Sequence, residues 1–386
     1  MINRFLNKYE KALSLIMCLV IGLNCSILRV YATEKWTDDD SIIVVSLGDS
    51  YSSGEGIEPF YEQYKDITEK VKNPDWLAHR SIESWPGKVK IDGLDGQLRD
   101  HRTDGHWFFV ASSGATTDNL LKTQIKEYDR DGCSGKAYLD PQLSVFDDLK
   151  KDSVDYVTLT FGGNDAGFAD IIMAGVTSVP YINQTKLTDL LNETWIHFET
   201  KGGIKDSIER AYKNIHEKAG DNAKIIVAGY PKLLDKNGKG VFFTKSQATE
   251  INENVTKFNK AIEKIVNDCH DKDHIKIYFV SVEEKFDGHE AYSEDAYINK
   301  IIFGSMAQDL KKIVISSAYS IHPNKEGAEI YAEVVTEKIK EIESGNDVKE
   351  KMEEEVNKQF DKALDRLAKK LVEWLNQWLK DSCSEC

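Results

Sequence analysis

Four short runs of apolar residues, rich in β-branched side chains, punctuate the chain: Ile42–Leu47, Val154–Phe161, Lys224–Gly229 and Ile275–Val282. Each run is mostly apolar, with few charged residues and no strict alternation, which is the pattern of strands buried on both faces. The stretches between them are long enough for helices. Strands of this kind alternating with helical segments predict an α/β fold with a parallel sheet covered on both sides. In such sheets functional residues collect just beyond the carboxyl ends of the strands. The places to search are therefore the residues after Leu47, Phe161, Gly229 and Val282. Two segments read as insertions at that rim, the polar and aromatic Glu58–Trp76 and the stretch Ala174–Gly203.

Beyond about Glu341 the pattern changes. Asn346–Asp381 is highly charged, with Phe360, Leu364, Leu367, Leu371, Leu375 and Leu379 at steps of three or four residues, and the chain closes on Cys383-Ser384-Glu385-Cys386. This spacing predicts an amphipathic helical extension over 341–386. Such a helix can pack back on the main domain or form a short coiled coil. Trp374 and Trp378 beside the leucines also suit an interfacial helix that contacts a membrane surface. The opposite end reads as an export signal over residues 1–32. Arg4, Lys8 and Lys11 precede a short apolar core, Ala12 to Leu23, and Val30-Tyr31-Ala32 offers a small-residue cleavage box. The main domain then occupies 33–340.

The 386 residues carry a net charge of −15, and without residues 1–32, which hold Arg4, Lys8, Lys11, Arg29 and Glu10, it becomes −18. So acidic a surface disfavours nucleic acid as a partner. Cys133, Cys269, Cys383 and Cys386 remain after removal of the leader, too few to form a disulfide framework, so the fold rests on its core.

The first strand runs into Gly48-Asp49-Ser50-Tyr51-Ser52-Ser53-Gly54-Glu55-Gly56. A serine placed one turn beyond a buried strand can expose its hydroxyl while neighbouring backbone N–H groups point the same way, ready to stabilise an oxyanion. By itself the tripeptide also fits a plain strand-ending turn with a helix cap. The second strand ends in Phe161-Gly162-Gly163-Asn164-Asp165, where two glycines permit close approach to a ligand and the Asn164 amide can donate to developing negative charge. Ala111-Ser112-Ser113-Gly114-Ala115 supplies a further glycine N–H, and Ser320-Ile321-His322-Pro323-Asn324 sets a histidine just ahead of a helix. His101, Asp104 and His106 have metal-like spacing, but Asp104-Gly105 reads better as a turn and no third ligand follows.

Taken together, in the order serine, glycine, asparagine, histidine, these four pieces resemble the blocks of the SGNH hydrolases, also called GDSL lipases and esterases. The resemblance runs from about Ile42 to about Lys338. It is nearest the secreted bacterial branch, to which His79-Arg80-Ser81, Trp85-Pro86 and Phe286-Asp287-Gly288-His289 are also similar. It implies a flavodoxin-like three-layer α/β/α sandwich and a secreted serine hydrolase cleaving carboxylic esters of the esterase, lipase or phospholipase type, on a small-molecule or lipid substrate and without cofactor or metal. Carried over residue by residue, it implies Ser50 as nucleophile, His322 as general base, and an oxyanion hole from the N–H groups of Ser50 and Gly114 with the Asn164 amide. Asp49 and Asp165 hold their turns. The alternatives are a carbohydrate O-deacetylase on the same fold, or a non-catalytic surface-binding module that keeps the scaffold.

Two departures from the family pattern stand out. Tyr319 occupies the position where many members carry the aspartate of a triad, so the expectation is a dyad in which a backbone carbonyl near Tyr319 or Ser320 orients His322. A distant carboxylate is the other reading. Where the secreted branch places two disulfide-forming cysteines, this chain has Ala78 and Ser112, and a further family cysteine is replaced by Tyr292.

Overall fold

The computed structural model describes residues 41–168, 171, 184–237 and 243–345. The export segment, the tail Asn346–Asp381, its closing cysteines and part of Ala174–Gly203 lie outside the described residues. Apart from Ser41, the described residues belong to one compact unit that begins at Ile42.

All four apolar runs are strands. They form β1 (Val44–Ser46), β5 (Tyr156–Leu159), β6 (Lys224–Ala228) and β7 (Ile277–Val280) of a five-stranded sheet. The fifth strand, β2 (Trp107–Phe109), is three residues long, and its brevity hid it from a search for apolar runs. The sheet order is β2-β1-β5-β6-β7 and every pairing is parallel. Counted along the sheet alone this is the flavodoxin order, in which the chain adds strands outward on one side of β1 and then on the other, starting with β5. That switch of side opens a crevice beyond the carboxyl ends of β1 and β5.

The flanking helices follow from their sequences. In α1 (Gln184–Glu199), α2 (Ile204–Ala219) and α3 (Lys245–Asp273) the buried residues recur at helical spacing; in α2 they are Ile204, Ile208, Ala211, Tyr212, Ile215 and Ala219. Thr244 starts α3 through a capping box with Gln247, satisfying two otherwise unpaired N–H groups. A further helix, α4, is helical across residues 325–345 and is pinned by Tyr331, which stacks on Trp85 at 5.7 Å and donates to Gly229 O at 2.8 Å. Each fully buried Ile, Leu or Val in these layers contributes about 1.5–3 kcal/mol.

A second, smaller sheet was not expected. β3 (Gln124–Arg130) and β4 (Cys133–Leu139) form an antiparallel hairpin. Asp131 and Gly132 at its turn both have positive φ, 52° and 80°. Asp-Gly is a strong signal for this type of turn, so the hairpin was legible in principle. The hairpin closes over Val71, Trp76, Leu77 and Ala78, which with Leu139 make a satellite core. The segment Glu58–Trp76 thus ends in packed structure: Trp76 is fully buried and its indole donates to Gln308.

Candidate active site

The crevice is built from the end of β1 outwards. Beyond Ser46 the chain stays in register with its neighbour, Leu47 N donating to Thr158 O and Asp49 N to Thr160 O. Between them Gly48 sits at φ 127°, and a Cβ there would lie 2.6 Å from Thr160 O, so no other residue fits. Asp49 then caps a one-turn helix, Ser50–Ser53, by accepting from Tyr51 N. Ser50 is the first residue of that turn. Its backbone N–H has no acceptor among the described residues, as expected at a helix start.

The end of β5 supplies Asn164, whose Nδ2 donates to Ala115 O at 2.9 Å. One amide hydrogen is used in this bond and the other remains available. Asp165 accepts from the backbone and hydroxyl of Thr117, which ties this turn to the segment carrying Gly114. Gly114 itself has φ 70°, and a hypothetical Cβ would meet only Gln124 Nε2 at an ordinary 3.8 Å, so here the backbone conformation, not crowding, calls for glycine. Its N–H also lacks an acceptor among the described residues.

His322 stands in the loop before α4. Its Nδ1 lies 3.0 Å from Ser320 O. A carbonyl can only accept, so the proton sits on Nδ1 and the neutral ring presents Nε2 as an acceptor. The Tyr319 side chain points elsewhere, donating to Glu58 at 2.8 Å. Among the described residues no carboxylate hydrogen-bonds His322; Glu55 acts on it through space. Burial pushes the imidazole below its ordinary value, with Glu55 and the backbone of Ser320 and Ala318 pulling the other way without cancelling it. Tyr51 braces the ring, its centroid 5.1 Å away and its hydroxyl on Ile321 O.

Ser50, Gly114, Asn164 and His322 all line one cavity of about 250 Å³. The remainder of its wall is largely apolar, including Phe168, Leu233, Val255, Phe258, Ile301 and Ile321. An apolar chamber with a few convergent polar groups is the usual form of a small-molecule site. All four residues singled out in the sequence are therefore together.

Other residues of the site carried no recognisable motif. Tyr230, just past the end of β6, donates to Asp49 and accepts from Gly163 N at 3.0 Å, joining both strand-end turns. Burial raises Asp49 to about 6, against the hydrogen bonds from Thr160 and Tyr230. Glu55 is fully buried and bonded through both oxygens to His79 Nδ1. Burial would raise its carboxyl, but the His79 ring outweighs it and holds Glu55 down at about 2. These contacts join residues far apart in sequence and could be found only in the folded chain. His101 and His106, by contrast, are turned to structural use, on Asp104, Asp95 O and Ile42 O.

The two places where the family resemblance would have a disulfide, Ala78 and Ser112, are side by side and buried. Hydrogen bonds join the segments instead: Ser113 N donates to Ala78 O at 2.9 Å, and the Arg80 guanidinium donates to Val110 O and Ala111 O. Cys133 and Cys269 are free thiols.

A strand-end serine at the switch point of a flavodoxin-type sheet, lining one apolar cavity with a histidine, is the arrangement of an α/β ester hydrolase. The family described as GDSL-like lipase/acylhydrolase matches residues 44–335, and the chain belongs to that family. Lipase 1 of Streptomyces coelicolor is 24% identical over 257 residues, spanning 67% of this chain and 75% of that protein. Among solved structures, the extracellular lipase of Streptomyces rimosus and phospholipase A1 of Streptomyces albidoflavus each superpose with a TM-score of 0.54 at 22% identity. Each match covers 77% of this chain and 99% of the other.

Proposed function

We propose that the protein is an exported lipase-type esterase that works through an acyl-enzyme on Ser50 with His322 as general base. Ser50 Oγ attacks the ester carbonyl carbon while its proton passes to His322 Nε2. The carbonyl oxygen takes up negative charge and is met by the N–H groups of Ser50 and Gly114 and by the Asn164 amide. Collapse breaks the ester C–O bond, His322 returns the proton to the departing alcohol, and water repeats the sequence to free the acid. Ser320 O keeps Nδ1 protonated throughout, so Nε2 is always the exchanging nitrogen.

The observation that carries this reading is the convergence on one cavity of Ser50, two N–H groups without acceptors among the described residues and an acceptor-poised His322. A fluorophosphonate probe should label the wild type at Ser50 and leave Ser50→Ala unlabelled. Labelling of the variant, or none of the wild type, would overturn it.

The apolar wall favours an acyl chain over the acetyl group of a carbohydrate deacetylase. At about 250 Å³ the cavity has room for more than an acetyl group. A chain-length series of p-nitrophenyl esters should peak at medium length, whereas a maximum at acetate would favour deacetylation. Export rests on the segment 1–32 and on the extracellular relative; the mature protein recovered from the medium should begin at Thr33.

A further inference from the structure

The Ser113–Gly114 peptide has two sides. Its N–H belongs to Gly114 and faces the serine cavity in the reading above; its C=O belongs to Ser113. In a trans peptide these two groups point in opposite directions. Ser113 O is held by two donors from β3, Gln124 Nε2 at 2.9 Å and the Lys126 ammonium. Gln124 and Lys126 are two residues apart on the strand, so both side chains point inward from the same face. Both are buried, and Ser112 Oγ donates to Gln124 Oε1 at 2.6 Å, which fixes the amide with its nitrogen toward Ser113. A buried ammonium aimed at a single peptide oxygen is unusual, since its desolvation is costly.

We infer that Lys126, with Gln124, is a positioning residue that orients and polarises the Gly114 N–H as an oxyanion donor. Pinning the carbonyl on the hairpin side fixes the N–H on the cavity side. A positive charge on the carbonyl oxygen draws electron density through the amide and makes its N–H a stronger donor, the cooperative effect seen in hydrogen-bonded chains. The effect grows as charge develops on the substrate oxygen, so it favours the transition state over bound substrate.

The groups facing Lys126 fit this role. Glu55, from the turn after Ser53, supplies the opposing charge, while Arg80 adds a like charge. His79 is occupied by Glu55, and Asp309 by the N–H groups of Met306 and Ala318. Glu127 and Lys311, which pair with each other at 3.3 Å, line a cavity of about 390 Å³ together with Lys126 and Glu55. Burial pushes the ammonium down to about 8, against the pull of Glu55. It is charged at neutral pH and loses its charge on the alkaline side.

The inference rests on the Ser50 reading, and the test separates the two. Lys126→Met should lower kcat on a p-nitrophenyl ester by about tenfold, less than loss of a whole oxyanion donor, with KM little changed. Affinity for a boronic acid that mimics the tetrahedral intermediate should fall by the same factor. In the wild type kcat should decline above about pH 8 as the ammonium is lost. In Lys126→Arg, which stays charged, that decline should disappear. A merely structural lysine would not move either quantity. Wild-type kcat and boronate affinity in Lys126→Met would overturn the inference. If that variant does not fold, an alkaline decline unchanged in Lys126→Arg would overturn it instead. Turnover retained in Ser50→Ala would sink the underlying reading; an inactive Ser50→Ala beside kinetically normal Lys126 variants would sink this inference alone.

Discussion

The two halves of the cavity are held in different ways. Ser50 and Asn164 ride on the ends of β1 and β5, and the sheet itself aims them: Asp49 N and Leu47 N continue the β ladder to within one residue of the serine. His322 and Gly114 ride on longer loops: beside the histidine there is a single antiparallel bridge, Ile298 with Pro323, and the β1–β2 pairing runs out at Ser112 N to Gly48 O. Loop 296–323 is fixed by single bonds, Asn299 N to His322 O, Ile321 N to Asn299 O and the Asn299 amide to Gly56 O. Gly114 is fixed by the hairpin, through Gln124 and Lys126. The sheet-borne half thus shares the stability of the core, whereas the loop-borne half depends on a few isolated tethers, backbone and side-chain. Such regions open at lower cost.

Several substitutions can break or sharpen this contrast. The largest effects should come from the reacting groups in either half. Ser50→Ala and His322→Ala should each lower kcat on the order of 10³-fold or more with folding retained; near wild-type turnover in either would refute its role. Asn164→Ala removes one donor and should cost roughly 10²–10³ in kcat, read by the same assay.

The pH profile addresses the loop-borne half directly. The base must be neutral to accept a proton, and burial lowers its pKa from the ordinary 6.5. Accordingly kcat/KM should rise with pH along a limb below that value and be flat at neutrality, falling about tenfold per unit under the limb. Asp49, at about 6, titrates in the same window. The limb should therefore persist in Asp49→Asn; its disappearance would assign it to Asp49.

Smaller effects test the tethers. Tyr230→Phe removes the hydroxyl between Asp49 and Gly163, and should lower stability by about 1–3 kcal/mol with a modest loss in kcat, measured by denaturant melts beside kinetics. Tyr319→Phe should be the mildest. It loses a bond to Glu58, worth about 1 kcal/mol, and leaves kcat unchanged, because the tyrosine hydroxyl takes no part in orienting His322. A kinetic defect there would mean that the side chain, not the Ser320 carbonyl, positions the base.

The sheet-borne half was legible before folding. Apolar runs mark buried strands, and glycines at Gly48 and Gly162-Gly163 mark where such strands turn sharply, so the places of Ser50 and Asn164 beyond strand ends follow from local pattern while their roles come from family likeness. Family likeness supplied Gly114 and His322, which local pattern alone would have left as a loop glycine and a lone histidine. Short β2 escaped because three residues make too weak a periodic signal. The Asp131-Gly132 hairpin carries a local turn signal, but its strands alternate with exposed polar residues and so lack the apolar run that marks the main sheet.

What the chain determines by itself is the set of local conformations. Strand, cap and turn depend on neighbours in sequence, and the chemistry of Ser50 needs only those to place its hydroxyl beyond a strand. Tertiary structure alone decides which nitrogen of His322 faces the cavity, since that follows from the distance to Ser320 O in one particular loop geometry. It alone brings Tyr230 to Asp49 across 181 residues, and Lys126 to the far side of the Gly114 peptide. These are bonds between side chains and distant backbone, formed when the layers pack, and no periodicity in the sequence encodes their partners.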